Sequence, residues 1–121
     1  NQAGITNPRN EIDCAEIYVP FSWYEPMWLE NLGFTDIGEG WKLTNEGLTE
    51  LEGDLPINMS GGVLSSNPIG ASGMIRFGEA ALQVMGLAED HQVKNAKVAM
   101  GHAYGGASQF FAMWIVSSIK D

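Results

Sequence analysis

The apolar positions fall into short runs separated by glycine, proline and acidic residues, and each run predicts an element. Residues 12–19, Ile-Asp-Cys-Ala-Glu-Ile-Tyr-Val, read as a strand that Pro20 ends. Ser22 and Glu25 have the spacing of a capping box, with Phe21 before the cap. A helix follows to about Leu32 and stops at Gly33, with Pro26 tolerable in its first turn. Residues 34–54 are acidic and punctuated by glycine, which predicts an exposed excursion with a short helix around 44–51. Residues 55–59 predict a short strand. In 73–85, Met74, Phe77, Ala81 and Met85 share one face at helical spacing, and Gly86 suits a helix C-terminus. Residues 88–94 are a polar loop. Residues 95–101 and 108–119 read as two strands joined by the glycine-rich segment 102–107. The order β-α-β-α-β-β predicts an α/β fold, with mostly parallel strands and an antiparallel closing pair. Residues 1–10, rich in Asn and carrying Pro8, read as a leader ahead of one domain over 11–121.

Composition narrows this picture. A chain of 121 residues, 45% apolar, makes at most one domain with a modest core. It has no apolar run of the length a membrane span needs. It starts at Asn1 with no signal-peptide pattern, which suggests a processed chain or one cut from something longer. The single Cys14 excludes an internal disulfide and a cysteine-rich metal site, and fits a reducing, cytoplasmic setting. The formal charge of −9 is uneven: residues 1–54 hold eleven acids against Arg9 and Lys42, while 55–121 hold four of each sign. Nucleic acid and anionic membranes are excluded as partners on that ground. An anionic ligand would approach the second half.

The candidate chemistry lies in 58–73, a strand end, a glycine-rich turn and a helix start in one run. Its glycines permit positive φ and close approach of a ligand. The Asn67-Pro68 step holds Asn67 extended before a helix N-terminus, which attracts negative charge or a carbonyl oxygen. Asn58 to Gly62, then Ser66-Asn67-Pro68-Ile69-Gly70-Ala71-Ser72-Gly73, resembles the C-terminal signature of thiolases, an Asn-x-Ser/Asn-Gly-Gly segment followed by Gly-His-Pro-x-Gly-Ala-Ser/Thr-Gly. Asn67 stands where the family has histidine, and Ser66 where it has glycine. The resemblance runs over about residues 10–119 and implies the C-terminal part of a thiolase-like fold, of the sterol-carrier-protein type. It also implies that the nucleophilic cysteine belongs to an N-terminal half absent from this chain. One central strand would then lie upstream of Asn1 as well.

The same resemblance assigns roles. Tyr18, in Glu16-Ile17-Tyr18-Val19-Pro20-Phe21, takes the place of the family's Asn or His and can donate one hydrogen bond to an oxyanion or a bound water. Thiolase-like retro-aldolases also have tyrosine here. Asn67 can donate through its amide but cannot act as a base. His102, in Gly101-His102-Ala103-Tyr104-Gly105-Gly106, resembles the family's catalytic His-x-x-Gly, and an unperturbed pKa of about 6.5 suits acid/base work. Tyr104 is a possible substitute for it. Gly61, Gly62, Ser66, Pro68, Gly70 and Gly105 are the expected substrate-binding positions. Cys14 reads as a small core residue, His91 as surface, and the four tryptophans as core or interface.

The implied activity is acyl-CoA C-acyl transfer, with coenzyme A as cosubstrate and no metal or other cofactor. The implied partners are an upstream half or partner chain in a homo- or hetero-oligomer. Two alternatives stay open. One is a retro-aldolase acting on β-hydroxyacyl-CoA with a small accessory acyl-CoA-binding subunit. The other is a non-catalytic acyl-CoA-binding or assembly module.

Overall fold

The computed structural model describes residues 2–119; Asn1, Lys120 and Asp121, the ends of the expected leader and domain, lie outside them. Three strands form a mixed sheet in the order β1-β2-β3: β1 (Cys14–Glu16), β2 (Val98–Gly105) and β3 (Phe110–Ser117). β1 runs parallel to β2, with Cys14 opposite Ala99 and Glu16 opposite Gly101. β2 and β3 form the antiparallel closing pair, from Val98 opposite Ser117 to Gly105 opposite Phe110. The strand expected over 55–59 is reduced to one parallel bridge, Ile57 to Ala15, on the far side of β1. With that bridge counted, the α/β order and the mixed sheet are those the sequence predicts. The absent central strand is a correction: β1 and β2 are hydrogen-bonded neighbours, with no vacant track between them.

β1 ends three residues earlier than expected, although Ile17, Tyr18 and Val19 stay buried. Their backbone donors leave the ladder for side chains: Ile17 N–H donates to Asn58 Oδ1 (2.7 Å) and Tyr18 N–H to His102 Nδ1 (3.4 Å). β2 extends further than expected, to Gly105, because it pairs with β3 along its whole length. The hairpin turn is confined to 106–109, with Ala107 and Ser108 at positive φ.

The described residues form five α-helices: α1 (Pro8–Glu11), α2 (Tyr24–Asn31), α3 (Gly40–Asn45), α4 (Gly62–Ser65) and α5 (Ser72–Met85). Within residues 2–10, Ile5 packs against the main core and Arg9 pairs with Asp54. α2 starts without a side-chain cap; Glu25 instead accepts from Thr44 Oγ1 (2.7 Å), tying α2 to the α3 segment. That segment is less exposed than its acidity suggests. Phe34 and Leu55 at its ends are fully buried, Thr49 is buried, and its helix lies at 40–45 rather than 44–51.

α5 stops at Gly86 (φ 71°), with Leu87 N–H donating back to Leu82 O (3.0 Å). The face it buries is Ser72, Arg76, Ala80 and Gln83, not the apolar stripe; Met74 and Met85 are about two-thirds exposed. Close packing explains the choice. β2 offers Ala99, Gly101 and Ala103 to this helix, and a side-chain carbon at Gly73 would come within 2.9 Å of the Ala103 Cβ. The opposite face of β2 carries Met100, His102 and Tyr104 toward the main core, with Ile17, Val19, Trp28, Leu29, Phe34 and Leu55.

Candidate functional site

The glycine-rich run is held at both ends. At its entry, Asn58 adopts φ 57°; its N–H donates to Ala15 O (2.9 Å) while its Oδ1 accepts from Ile17 N–H. Gly61 (φ 88°) and Gly62 (φ 59°) turn the chain into α4, and a Cβ on Gly62 would press on the Asn58 amide at 3.1 Å. Glu16, 2% exposed, grips the same turn: its carboxylate accepts from Ser60 N–H (3.0 Å) and Ser60 Oγ (2.7 Å). Burial raises the Glu16 pKa, against the pull of Ser60 and Arg76. Arg76 of α5, equally buried, has Nη1 3.4 Å from Glu16 Oε2, near enough for an ion pair. Its Nε and Nη1 make no hydrogen bond among the described residues.

At the exit of the run, Asn67 stands exposed with its amide clamped. The Ser72 hydroxyl donates to Asn67 Oδ1 at 2.6 Å and the Tyr18 hydroxyl donates to the same oxygen at 3.1 Å. In this arrangement the NH2 group is the end left free of the two hydroxyls. Ser66, Pro68 and Gly70 lie exposed around Asn67, and a 3₁₀ turn over Ile69–Ala71 leads into α5.

Tyr18 links this loop to the strand residues. Its ring meets Tyr104 edge-on at 5.0 Å, and its backbone N–H reaches His102. Tyr104 in turn stacks on Tyr24 at 5.5 Å. A hydrogen bond with Tyr24, followed by burial, pushes its phenol up to about 12, so it keeps its proton at neutral pH. His102 differs from expectation. It lies inside β2 rather than in a loop, is 2% exposed, and sits 4.8 Å from the Trp28 ring. Burial lowers its pKa to about 4, so the ring is neutral at pH 7 rather than poised near 6.5. Gly105 closes β2 opposite Phe110, at the hairpin end.

The structure thus brings Tyr18, Asn67, His102 and Tyr104 into one connected group, with Gly61 and Gly62 at the far end of the loop. Cys14 is buried beneath α5, and burial pushes its thiol up to about 12, which suits a packing role. His91 is half-buried against Glu79 (3.2 Å), away from the group. No metal-binding cluster occurs among the described residues. Sequence reading missed Ser60, Ser72, Glu16 and Arg76. The two serines lie inside the recognised run, and Glu16 is a charge within an otherwise apolar strand end.

A family model described as thiolase C-terminal domain-like matches residues 1–118. The chain belongs to that family. Relatives of this thiolase C-terminal domain-like chain include an acetyl-CoA acetyltransferase from Methanothermobacter thermautotrophicus, 36% identical over 108 residues, covering 88% of this chain and 28% of that protein. Human sterol carrier protein 2 is 38% identical over 105 residues, covering 86% of this chain and 19% of that protein. Benzoylsuccinyl-CoA thiolase subunit BbsB from Thauera aromatica is 32% identical over 98 residues, covering 79% and 26%. The chain therefore matches less than a third of the length of each.

Proposed function

We propose that this chain forms the carbonyl-binding part of a thiolase-type acyltransferase, which makes or breaks a carbon–carbon bond beside an acyl-CoA thioester. The observation that carries the reading is the Asn67 amide. With Oδ1 occupied by the Ser72 and Tyr18 hydroxyls, Asn67 offers N–H alone to an incoming oxygen. A fixed donor aimed at a developing oxyanion is the kind of group that lowers the barrier of acyl transfer. His102, neutral and rigid, can offer a ring N–H to an oxygen without carrying charge. The family resemblance and the acetyl-CoA acetyltransferase relative support coenzyme A as cosubstrate. The nucleophilic cysteine comes from an upstream segment or a partner chain, since Cys14 is buried and its thiol holds its proton. A cytoplasmic oligomer is the setting that goes with this reading.

A second reading is favoured by one contact. Tyr18 and Tyr104 lie edge to face at 5.0 Å, and no base stands at position 67. Two phenols beside a thioester site suit retro-aldol cleavage of a β-hydroxyacyl-CoA, aided by an accessory subunit, without an acyl-enzyme. Intact-mass measurement of the native protein after exposure to acetyl-CoA separates the two. An acetyl adduct on a cysteine of the assembly supports acyl transfer. Cleavage of a β-hydroxyacyl-CoA with no adduct supports the second reading, and neither event refutes both.

A further inference from the structure

Consecutive residues at the end of β1 and just beyond it each hold a point of the glycine-rich run. Ala15 O accepts from Asn58 N–H, Ile17 N–H donates to Asn58 Oδ1, and the Tyr18 hydroxyl donates to Asn67 Oδ1. Glu16 differs from these neighbours, because its carboxylate reaches towards both ends of the run. At the entry, Oε1 accepts from Ser60 N–H (3.0 Å) and Oε2 from Ser60 Oγ (2.7 Å). Ser60 Oγ in turn accepts from the N–H of Gly62 (3.2 Å), the first residue of α4, whose own N-cap is a glycine. The same Oε2 lies 3.4 Å from Arg76 Nη1 on α5. Arg76 stands one helical turn after Ser72 on the buried face of α5, and Ser72 is the residue that donates to Asn67 Oδ1 at the exit (2.6 Å).

Stability does not account for a charge at position 16. A buried ion pair is often no more stable than apolar residues of similar volume, because both ions must leave water. This pair is also loosely made. Arg76 Nε and Nη1 are buried and make no hydrogen bond among the described residues, whereas a strong arginine–carboxylate pair has two parallel short bonds. What the carboxylate supplies, and an apolar side chain cannot, is a set of acceptors that ties Ser60 to β1 while facing α5.

We propose that Glu16, acting through Ser60 and Arg76, is a positioning residue for the Asn67 amide. It sets where that donor stands relative to the sheet, by holding α4 on one side of Asn67 and α5 on the other, and touches no reacting atom itself. The proposal rests on the thioester reading for the reaction it serves, and on the contacts alone for the placement of Asn67.

Removing Glu16 strands the Arg76 charge and endangers folding, so the test is made at half-buried Ser60. Ser60→Ala breaks the link from Glu16 to Gly62 and leaves the charge pair in place. In the native assembly with acetoacetyl-CoA, Ser60→Ala should lower kcat about 10- to 100-fold with KM nearly constant, the scale of a displaced catalytic group. Ser60→Thr keeps the hydroxyl and should restore the rate. In an Asn67→Ala background, Ser60→Ala should cost less than about 2-fold more, since both changes act on one donor. An undiminished cost in that background, or a kcat that Ser60→Ala leaves unchanged, overturns the proposal. The Asn67 side-chain amide signals in NMR spectra report placement without turnover: Ser60→Ala should shift them and Ser60→Thr should not. If the assembly turns over no acyl-CoA while Ser60→Ala shifts those signals, the thioester reading fails and the positioning stands. If Ser60→Ala leaves them unmoved while turnover depends on Asn67, the positioning fails and the thioester reading stands.

Discussion

Tyr18 works at both of its ends. Its hydroxyl donates to the Asn67 amide oxygen (3.1 Å) and its backbone N–H to His102 Nδ1 (3.4 Å), so one residue contacts both. His102 has a measurable consequence. Its folded pKa lies near 4, below its ordinary 6.5, so between those values the unfolded chain binds a proton that the folded chain refuses. Stability from this group is complete above pH 6.5 and is lost as the pH falls towards about 4, by on the order of 3 kcal/mol. His102→Phe should remove that part of the acid slope in denaturant titrations, whatever it costs at neutral pH. Parallel slopes in wild type and variant would contradict the burial assigned to the ring. Asn67 was singled out through the thiolase-like run around it, and the structure places it at the exit of that run against Tyr18 and Ser72. His102 was placed in a loop because Gly101 and Gly105 look like turn residues. They are strand residues here, and Gly101 leaves room for the α5 backbone, as a Cβ there would stand 3.1 Å from Arg76 O.

Among the elements, α5 and β1 are joined through a buried charge pair. Glu16 belongs to the strand, Arg76 to the helix, and Ser60 to the glycine run between them. The pair therefore fixes the loop that carries Asn67 relative to the sheet. Removing one partner of a buried pair typically costs roughly 3–5 kcal/mol. Arg76→Met should cost that much at neutral pH, because Glu16 then has no counter-charge. Its raised pKa sets the sign. Protonated Glu16 is the form the interior favours, so that contribution is present in acid and is lost as the pH rises through the folded pKa. The cost of Arg76→Met should accordingly shrink in acid, and Glu16→Gln with Arg76→Met should recover part of it. A cost that does not vary with pH would show that the charge is not the cause. Sequence periodicity found α5 and its glycine stop but turned it the wrong way. An apolar stripe normally faces a core, yet here Ser72, Arg76 and Gln83 face inward because Asn67, Glu16 and Val93 meet them there. Those partners lie in other elements, and no local pattern reveals them.

Across the whole molecule, the sheet and its helices leave much apolar surface open. Phe110, Phe111 and Met113 on β3 are each more than half exposed, as are Met74 and Met85 on α5. Exposed apolar surface of this extent is the kind that contact with further protein covers. The negative first half would repel an anionic ligand, which leaves the near-neutral second half as its side of approach. The α/β order, the closing hairpin and the family were legible because they rest on runs of many residues. The direct pairing of β1 with β2 was not, since strand neighbours depend on the whole chain.

The most direct test of the central claim is turnover of β-ketoacyl-CoA by the native assembly, with and without Asn67→Ala, using acetoacetyl-CoA and a phenyl-bearing homologue. Release of a shortened acyl-CoA, with kcat falling about 10²- to 10³-fold in the variant and KM nearly constant, is the predicted result for a lost oxyanion donor. Turnover unchanged by Asn67→Ala, or no acyl-CoA product from either compound, would contradict the account.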